Sequence, residues 1–292
     1  MFKAIFLGAA LAFAQPSCAQ VSADDGLAAL EAGDAEGARA IWAALAGRGD
    51  VLAQYNLAVL KLTGQGGKTD SDGALIWFEA AALQGHLPAK LTLAGLAQEH
   101  GDRAVARRWY RAAAKAGDAG AQFIYAQILD RDGPDPQAAI AWYEAAARQG
   151  LVQAQFAFAA ALAEQGAHDE AARWFEAAAQ AGDPRATHNL AVAKAQGLGR
   201  TQDKAAARAL YLRAAQAGYA PAMRNLSLML ARGQGGAQSF RFALAWALNA
   251  QALDEPGAAE LVLALRDVMS ERAIAKAEAL AEACLHGDAD CV

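Results

Sequence analysis

Apolar residues recur along this chain with the period of an α-helix, in segments that each end at a glycine. In one segment Ala74, Trp77, Phe78 and Ala81 occupy positions i, i+3, i+4 and i+7, and Gly85 follows. That spacing places an apolar stripe on one face of a helix. Glycine easily adopts the left-handed conformation that commonly ends a helix. The pattern therefore predicts an amphipathic helix that stops at the glycine.

The same segment is repeated through the chain: an anchor residue is followed eight positions later by Gly and four further on by Ala. The clear copies contain Trp77, Gly85 and Ala89; Trp109, Gly117 and Ala121; Trp142, Gly150 and Ala154; and Trp174, Gly182 and Ala186. Weaker copies start at Ile41, Leu210 and Trp246 and include Ala53, Gly218 and, in the glycine position of the last copy, Asp254. Anchors recurring every 32 to 36 residues predict a stack of two-helix repeats.

Two further positions of the repeat suit helix packing and helix capping. An alanine stands three positions before every anchor, at Ala38, Ala74, Ala106, Ala139, Ala171, Ala207 and Ala243. Such positions indicate helices in close contact, with the bulky anchors as packing residues beside them. Asp50, Asp118 and Asp183 follow the glycines and are suited to cap the next helix, and His86 takes that place in another copy.

The longer copies add a Gly-x-Gly between their two helices, as in Gly64-Gln65-Gly66 and Gly197-Leu198-Gly199, and an Asn-Leu pair in the first helix. Together with the stretch from Ala74 to Gly85, these features resemble the Sel1-like repeats, relatives of the tetratricopeptide repeats. The resemblance implies an all-α fold, a right-handed α-solenoid of antiparallel helix pairs. It also implies a protein that binds other proteins and has no catalytic residue common to the family.

Three segments are expected in chain order. Residues 1–19 have the layout of a signal peptide cleaved after Ala19, so the protein is expected to be periplasmic or secreted. Their apolar run of eleven residues is short of the roughly 20 needed to span a bilayer, and no permanent membrane span is expected. Residues 20–258 are predicted to hold about seven repeats, and residues 259–292 a C-terminal helical cap and tail.

The number of cysteines left after cleavage is consistent with an exported protein. Cys284 and Cys291 would form the remaining pair after cleavage, and an even pair in an oxidising compartment predicts a disulfide. Two unpaired thiols are the alternative. No histidine accompanies them at a metal-ligand spacing, so no metal is expected.

Charge and motifs argue against other functions. The formal net charge is −5, and the nearest basic cluster, Arg103, Arg107, Arg108 and Arg111, is interpreted as an exposed helix face, so no nucleic-acid partner is expected. The five histidines share no spacing that would assemble a catalytic site. The Gly-x-Gly segments lack a preceding strand and are interpreted as turns, so neither cofactor nor enzymatic activity is predicted.

A binding surface is predicted on the first helices. Two positions after each first-helix alanine, on the opposite side of that helix, the chain has a mostly apolar row: Tyr55, Leu91, Phe123, Phe156, His188 and Arg224. A neighbouring row includes Ala160, Val192 and Leu228. The family resemblance would place this side in a concave groove that holds a protein or an extended peptide. The alternative is that the same aromatics pack against an adjacent second helix.

The preferred hypothesis is an exported, non-enzymatic adaptor or scaffold. One form of this hypothesis is a periplasmic regulator that binds its partner in the groove. An envelope-directed hydrolase or a protein that binds penicillin-type ligands is the alternative from another class. Self-association through the apolar row is a third hypothesis. The sequence leaves the partner, the pathway and the oligomeric state open.

Overall fold

A computed structural model describes residues 21–133 and 136–286 of the chain. Within these ranges the structure consists of sixteen α-helices and contains no strand. The helices are α1 (Ala23–Glu31), α2 (Ala35–Ala46), α3 (Val51–Thr63), α4 (Ser71–Leu83), α5 (Leu87–Glu99), α6 (Arg103–Lys115), α7 (Ala119–Asp132), α8 (Pro136–Arg148), α9 (Val152–Glu164), α10 (His168–Gln180), α11 (Pro184–Gln196), α12 (Lys204–Gln216), α13 (Ala220–Arg232), α14 (Phe240–Ala252), α15 (Ala258–Asp267) and α16 (Glu271–His286). The predicted all-α repeat fold is confirmed.

The chain divides into two compact units, with the boundary between α5 and α6. The first unit ends at Asp102, and the second begins at Arg103. Inside each unit, consecutive helices pack against one another, as a stack of small repeats requires. In the second unit α7 with α8, α9 with α10, α11 with α12, and α13 with α14 form the two-helix repeats.

Both series of recurring alanines are buried. The second-helix series, Ala38, Ala74, Ala106, Ala139, Ala171, Ala207 and Ala243, is at most 5% exposed. The first-helix series, Ala53, Ala89, Ala121, Ala154, Ala186, Ala222 and Ala258, is at most 1% exposed. A methyl group at these contacts lets neighbouring helix backbones approach, whereas a longer side chain would force them apart.

Caps and turns separate the helices where the sequence predicts. The Asp50 carboxylate accepts a hydrogen bond from the backbone N–H of Ala53 at 2.7 Å, and Asp118 accepts from Ala121 at 2.6 Å. In the repeat that lacks the aspartate, His86 Nδ1 accepts from the Ala89 N–H at 3.3 Å. Each such bond satisfies one of the orphan N–H groups at a helix start.

The Gly-x-Gly loops lie against the preceding second helix. Gly199 has a φ of 61°, and a Cβ added to it would overlap the carbonyl group of His168 at the start of α10. Gly66 in the first unit is placed in the same way against Ala35, and Gly235 against Lys204. The second glycine of each loop is therefore required both by its backbone conformation and by the space available.

The described C-terminal residues cover the last repeat. Helix α16 packs on α14 and also touches α12. Cys284 on α16 is fully buried and takes part in a disulfide. Its predicted partner, Cys291, lies outside the described residues, as does the predicted signal peptide at 1–19, so both remain predictions.

Candidate protein-binding surface

The first-helix row, Tyr55, Leu91, Phe123, Phe156, His188 and Arg224, is half-buried throughout. Its rings pack against the second helix of their own repeat. In the second unit the ring centroids are 5.8 Å apart for Phe123 and Tyr143, 6.0 Å for Phe156 and Phe175, and 5.4 Å for His188 and Tyr211. In the first unit Tyr55 and Phe78 are 5.5 Å apart. The row thus packs within its repeats and also contributes to the surface.

Two members of the row in the second unit also contact the next repeat. The His188 ring lies 5.2 Å from that of Tyr219. Cζ of Arg185 lies 4.3 Å from the centre of the Phe156 ring, and Asp183 pairs with the same guanidinium at 2.6 Å. Burial raises the pKa of the Asp183 carboxyl, but the hydrogen bonds from Arg185 and the Ala186 N–H outweigh it and keep this pKa below the ordinary value.

Two members of the row, Leu91 and Arg224, are not aromatic. Leu91 lies on α5 in the first unit and is half-buried. Arg224 lies on α13 in the second unit, against Gly257, where an added Cβ would come within 3.2 Å of Nε. That Nε is buried and has no hydrogen-bond partner among the described residues.

In most pairs the aromatic that follows the anchor is the more deeply buried one. Phe78, Tyr143, Phe175 and Tyr211 are buried, whereas Trp77, Trp142 and Trp174 are half-buried. Trp109 and its neighbour Tyr110 are both buried. Burial raises the pKa of the Tyr143 and Tyr211 hydroxyls to about 12. Trp142 and Trp174 pack edge-on against Tyr125 and Phe158 of the first helix. The rings after them, Tyr143 and Phe175, are the ones that the first-helix row contacts.

Two adjoining pockets lie along this side of the second unit. Pocket A has a volume of about 270 Å³ and lies between α9, α10 and α11; its lining includes Ala160, Glu164, His168, Phe175, Asn189, Val192 and Leu198. Pocket B has a volume of about 530 Å³ and lies between α11, α12 and α13; its lining includes Val192, Lys204, Tyr211, Asn225, Leu228 and Arg232. Val192 is a wall of both.

The two pockets are the same site in successive repeats. Each is enclosed by both helices of one repeat and the first helix of the next. Phe175, Asn189 and Leu198 in pocket A correspond to Tyr211, Asn225 and Gln234 in pocket B, 36 residues later. The pockets differ in charge: Glu164 and His168 of pocket A correspond to Gln196 and Lys204 of pocket B.

His188 connects the asparagines of the two pockets. Asn225 Nδ2 lies 2.9 Å from His188 Nε2, and His188 Nδ1 lies 3.2 Å from Asn189 Oδ1. Because an amide nitrogen only donates, Nε2 accepts and Nδ1 carries the proton, which is the neutral ring. Burial lowers the pKa of His188, although the bond to Asn189 acts in the opposite direction. The ring is therefore neutral and orients both amides.

Of the residues that sequence reasoning identified on this side, Ala160, Val192 and Leu228 line the pockets, whereas the row from Tyr55 to Arg224 does not. The lining asparagines were not identified. The available signal was the Asn three positions after the first-helix alanine, at Asn56, Asn189 and Asn225. A polar residue repeated on a helix flank favours a shared hydrogen-bonding role. Its partner, however, comes from the neighbouring repeat, and no local pattern specifies that pairing.

The described residues contain no group of three or more His, Cys, Asp or Glu that could hold a metal ion. Among the described helices, none combines the length and the hydropathy required to cross a bilayer. His86 is a helix cap and His168 lines pocket A. The chemistry of this surface is that of apolar contact, amide hydrogen bonds and two cations at the rim of pocket B.

A family model described as Sel1 repeat matches residues 51–86, 92–118, 120–151, 165–183, 184–219 and 220–250, which is more than half of the chain. The crystal structure of c5321, a protective antigen present in uropathogenic Escherichia coli strains that displays an SLR fold, is 26% identical with a TM-score of 0.68. The match covers 86% of this chain but only 56% of that one. A Sel1 repeat protein from Oxalobacter formigenes is 30% identical with a TM-score of 0.55, over 80% of this chain and 70% of its own. No curated protein matches. This chain belongs to the Sel1 repeat family, whose members generally serve as scaffolds for protein–protein interactions.

Proposed function

We propose that this protein is an exported, non-enzymatic adaptor that holds an extended segment of a partner protein against pockets A and B. The observation that carries the proposal is the repetition of one half-apolar pocket in successive repeats. A side chain of the partner would enter each pocket, and amide groups stand beside both. Regularly spaced pockets suit a linear chain, whose own side chains recur at regular intervals.

The burial pattern supports the same surface. Apolar side chains that line the pockets, such as Val192 and Leu228, are half-buried and able to contact a ligand. The rings beneath them are fixed by aromatic contacts, so the surface is preorganised and little ordering entropy would be lost on binding.

Site-specific photo-crosslinking in living cells tests the surface. A photoreactive residue at Glu164 or Gln196, both exposed at the rims of the pockets, is expected to give a discrete adduct. The matched control is Leu263, which is 68% exposed on α15 of the same unit and is expected to give none. Equal adducts at all three positions would contradict the proposed face, and an adduct of twice the chain's own mass would indicate self-association instead.

A pair of charge variants tests whether the partner contacts the wall that the two pockets share. Val192→Glu is expected to abolish the Gln196 adduct, because a carboxylate would stand in the shared wall. Leu263→Glu introduces the same charge at an exposed place and is expected to leave the adduct unchanged. Circular dichroism of both variants checks that they remain folded.

Export is tested separately. The protein is expected in the periplasm or the medium with Gln20 as its first residue, which N-terminal sequencing after cell fractionation would detect. An intact Met1 terminus in the cytoplasm would contradict this part of the proposal and leave the binding surface unaffected.

A further inference from the structure

Pockets A and B occupy equivalent places but differ in charge, and the difference points to what each accepts. In pocket A, Glu164 stands at the rim, and Leu198 adds an apolar wall. In pocket B, Gln196 and Gln234 replace these two residues, and Lys204 and Arg232 bring positive charge. The same backbone site thus changes from an apolar pocket with a carboxylate to a polar pocket with two cations.

The cations of pocket B are available to a ligand. Lys204 and Arg232 are exposed, and within the part of the chain that the structure describes neither forms an ion pair. The neighbouring carboxylate of Asp203 accepts the hydrogen bond of the Ala206 N–H at 2.9 Å, which is its role as the cap of α12. The lining of pocket B contains no acidic residue.

We infer that pocket B selects an aspartate or glutamate side chain of the bound segment, while pocket A takes an apolar side chain close to it in sequence. The inference rests on the proposed function and names the partner's chemistry. A carboxylate between Lys204 and Arg232 gains charge-assisted hydrogen bonds, whereas Glu164 would repel it from pocket A. We place the acidic residue within the segment and not at its end, because half-buried members of the first-helix row lie before pocket A, at Phe123, and beside pocket B, at Arg224.

A selection from a phage-displayed random peptide library tests the inference on the protein purified from cells that express the full chain. Selection on the parent is expected to enrich peptides with an acidic residue near a bulky apolar one. The variant Lys204→Glu with Arg232→Glu is expected to lose that preference, and the neutral variant Lys204→Gln with Arg232→Gln to weaken it. Thermal unfolding checks that each variant is folded.

The matched control uses the other basic surface of the second unit. Arg103, Arg107, Arg111 and Lys115 are exposed and spaced four residues apart on α6. Arg107→Glu with Arg111→Glu makes the same change in net charge away from pocket B, and is expected to select the same acidic peptides as the parent. If this control loses the acidic preference instead, the carboxylate binds on α6 and the inference is overturned.

Affinities of one selected peptide, amidated at its C-terminus, give the magnitude. Replacing its acidic residue by the neutral amide is expected to weaken binding to the parent about three- to tenfold, and less at high salt. The same replacement should have no effect on the charge-reversed variant. Enriched peptides without an acidic preference, or an equal preference in the charge-reversed variant, would overturn the inference but not the proposed function. Failure to enrich any peptide would overturn both.

Discussion

Asn225 donates a hydrogen bond from Nδ2 to Nε2 of His188, over 2.9 Å and from the first helix of one repeat to that of the preceding one. The bond defines the neutral tautomer of the imidazole and, through Nδ1, the orientation of Asn189 as well. One titratable ring therefore orients an asparagine of each pocket. Protonating this ring would break the bond and leave two N–H groups facing each other.

Stability is expected to fall as the pH drops below about 6.5, the ordinary pKa of an unfolded-chain histidine. Burial lowers the pKa of both His188 and His86 in the folded protein. The unfolded chain then binds protons that the folded chain does not, so this contribution is fully present above the unfolded pKa and is lost below it. Tyr211, whose pKa is about 12, and Tyr219, whose pKa is also raised, stay neutral in this range.

Urea unfolding at pH 7.5 and 5.5 checks this expectation. In His188→Phe the unfolding free energy should fall less between pH 7.5 and pH 5.5 than it does in the parent. The substitution keeps an aromatic ring packed on Tyr211 but removes the nitrogen that titrates. Phe123 and Phe156 occupy the equivalent position in other repeats. His100→Gln, at an exposed turn, is the control and should keep the parental loss. An equal loss in all three proteins would show that His188 does not contribute.

A glutamine pair links the two helices of the α7–α8 repeat and also bonds to the glycine that follows α6. Gln149 Nε2 donates to Gln122 Oε1 at 2.8 Å and to the Gly117 carbonyl at 3.0 Å. In the next repeat Gln155 corresponds to Gln122, but Ala181 stands where Gln149 would be. Consistent with this, Gln155 Oε1 is buried without a hydrogen-bond partner among the described residues.

Ala181→Gln is expected to raise the free energy of unfolding by about 1 kcal/mol, because it supplies the missing donor to a buried acceptor. The first unit shows the same geometry between Gln84 and Gln54, at 2.8 Å. Leu253→Gln is the matched control, since Met223 stands at the corresponding first-helix position of that repeat and has no acceptor, and no gain is expected. The denaturant midpoints of the two variants measure this difference in stability. Equal increases in both would contradict the hydrogen-bond explanation.

Asp254→Gly is expected to stabilise the last repeat. Asp254 has a φ of 55° and is the only described non-glycine residue with positive φ. A side chain in the left-handed region costs about 1–2 kcal/mol, partly offset by the greater flexibility of glycine when unfolded, so a net gain of about 0.5–1 kcal/mol is expected. The reverse change at the equivalent place, Gly218→Asp, should destabilise by a similar amount. Thermal unfolding would measure both, and a loss for Asp254→Gly would contradict the strain argument.

Gly199→Ala is expected to be more damaging than Gly182→Ala. Both glycines have positive φ, but an added Cβ at Gly182 meets nothing within 4 Å, whereas at Gly199 it overlaps the His168 carbonyl. Conformation alone predicts a cost of about 1–2 kcal/mol at Gly182. Displacing a packed backbone adds about 1–3 kcal/mol at Gly199. Unfolding in urea measures the loss of unfolding free energy in each variant. Equal losses would show that the loop does not lie against the start of α10.

The sequence by itself determined the repeating architecture. The helical period, the glycine stops and the caps at Asp50 and Asp118 are local features, and the buried alanines follow from a period that persists through the chain. These features depend on interactions within about one turn of helix, so the chain specifies them position by position.

Only the tertiary structure decided which residues line the two pockets. Three features depend on how neighbouring helices and repeats meet: Phe78 and Phe175 are deeper than the tryptophans before them, Gly199 is seated on His168, and His188 bonds to Asn225. Pockets A and B likewise exist because three helices from two repeats enclose them. Sequence periodicity indicates which face of a helix a residue occupies, but the partner on that face comes from another repeat, and packing alone determines it.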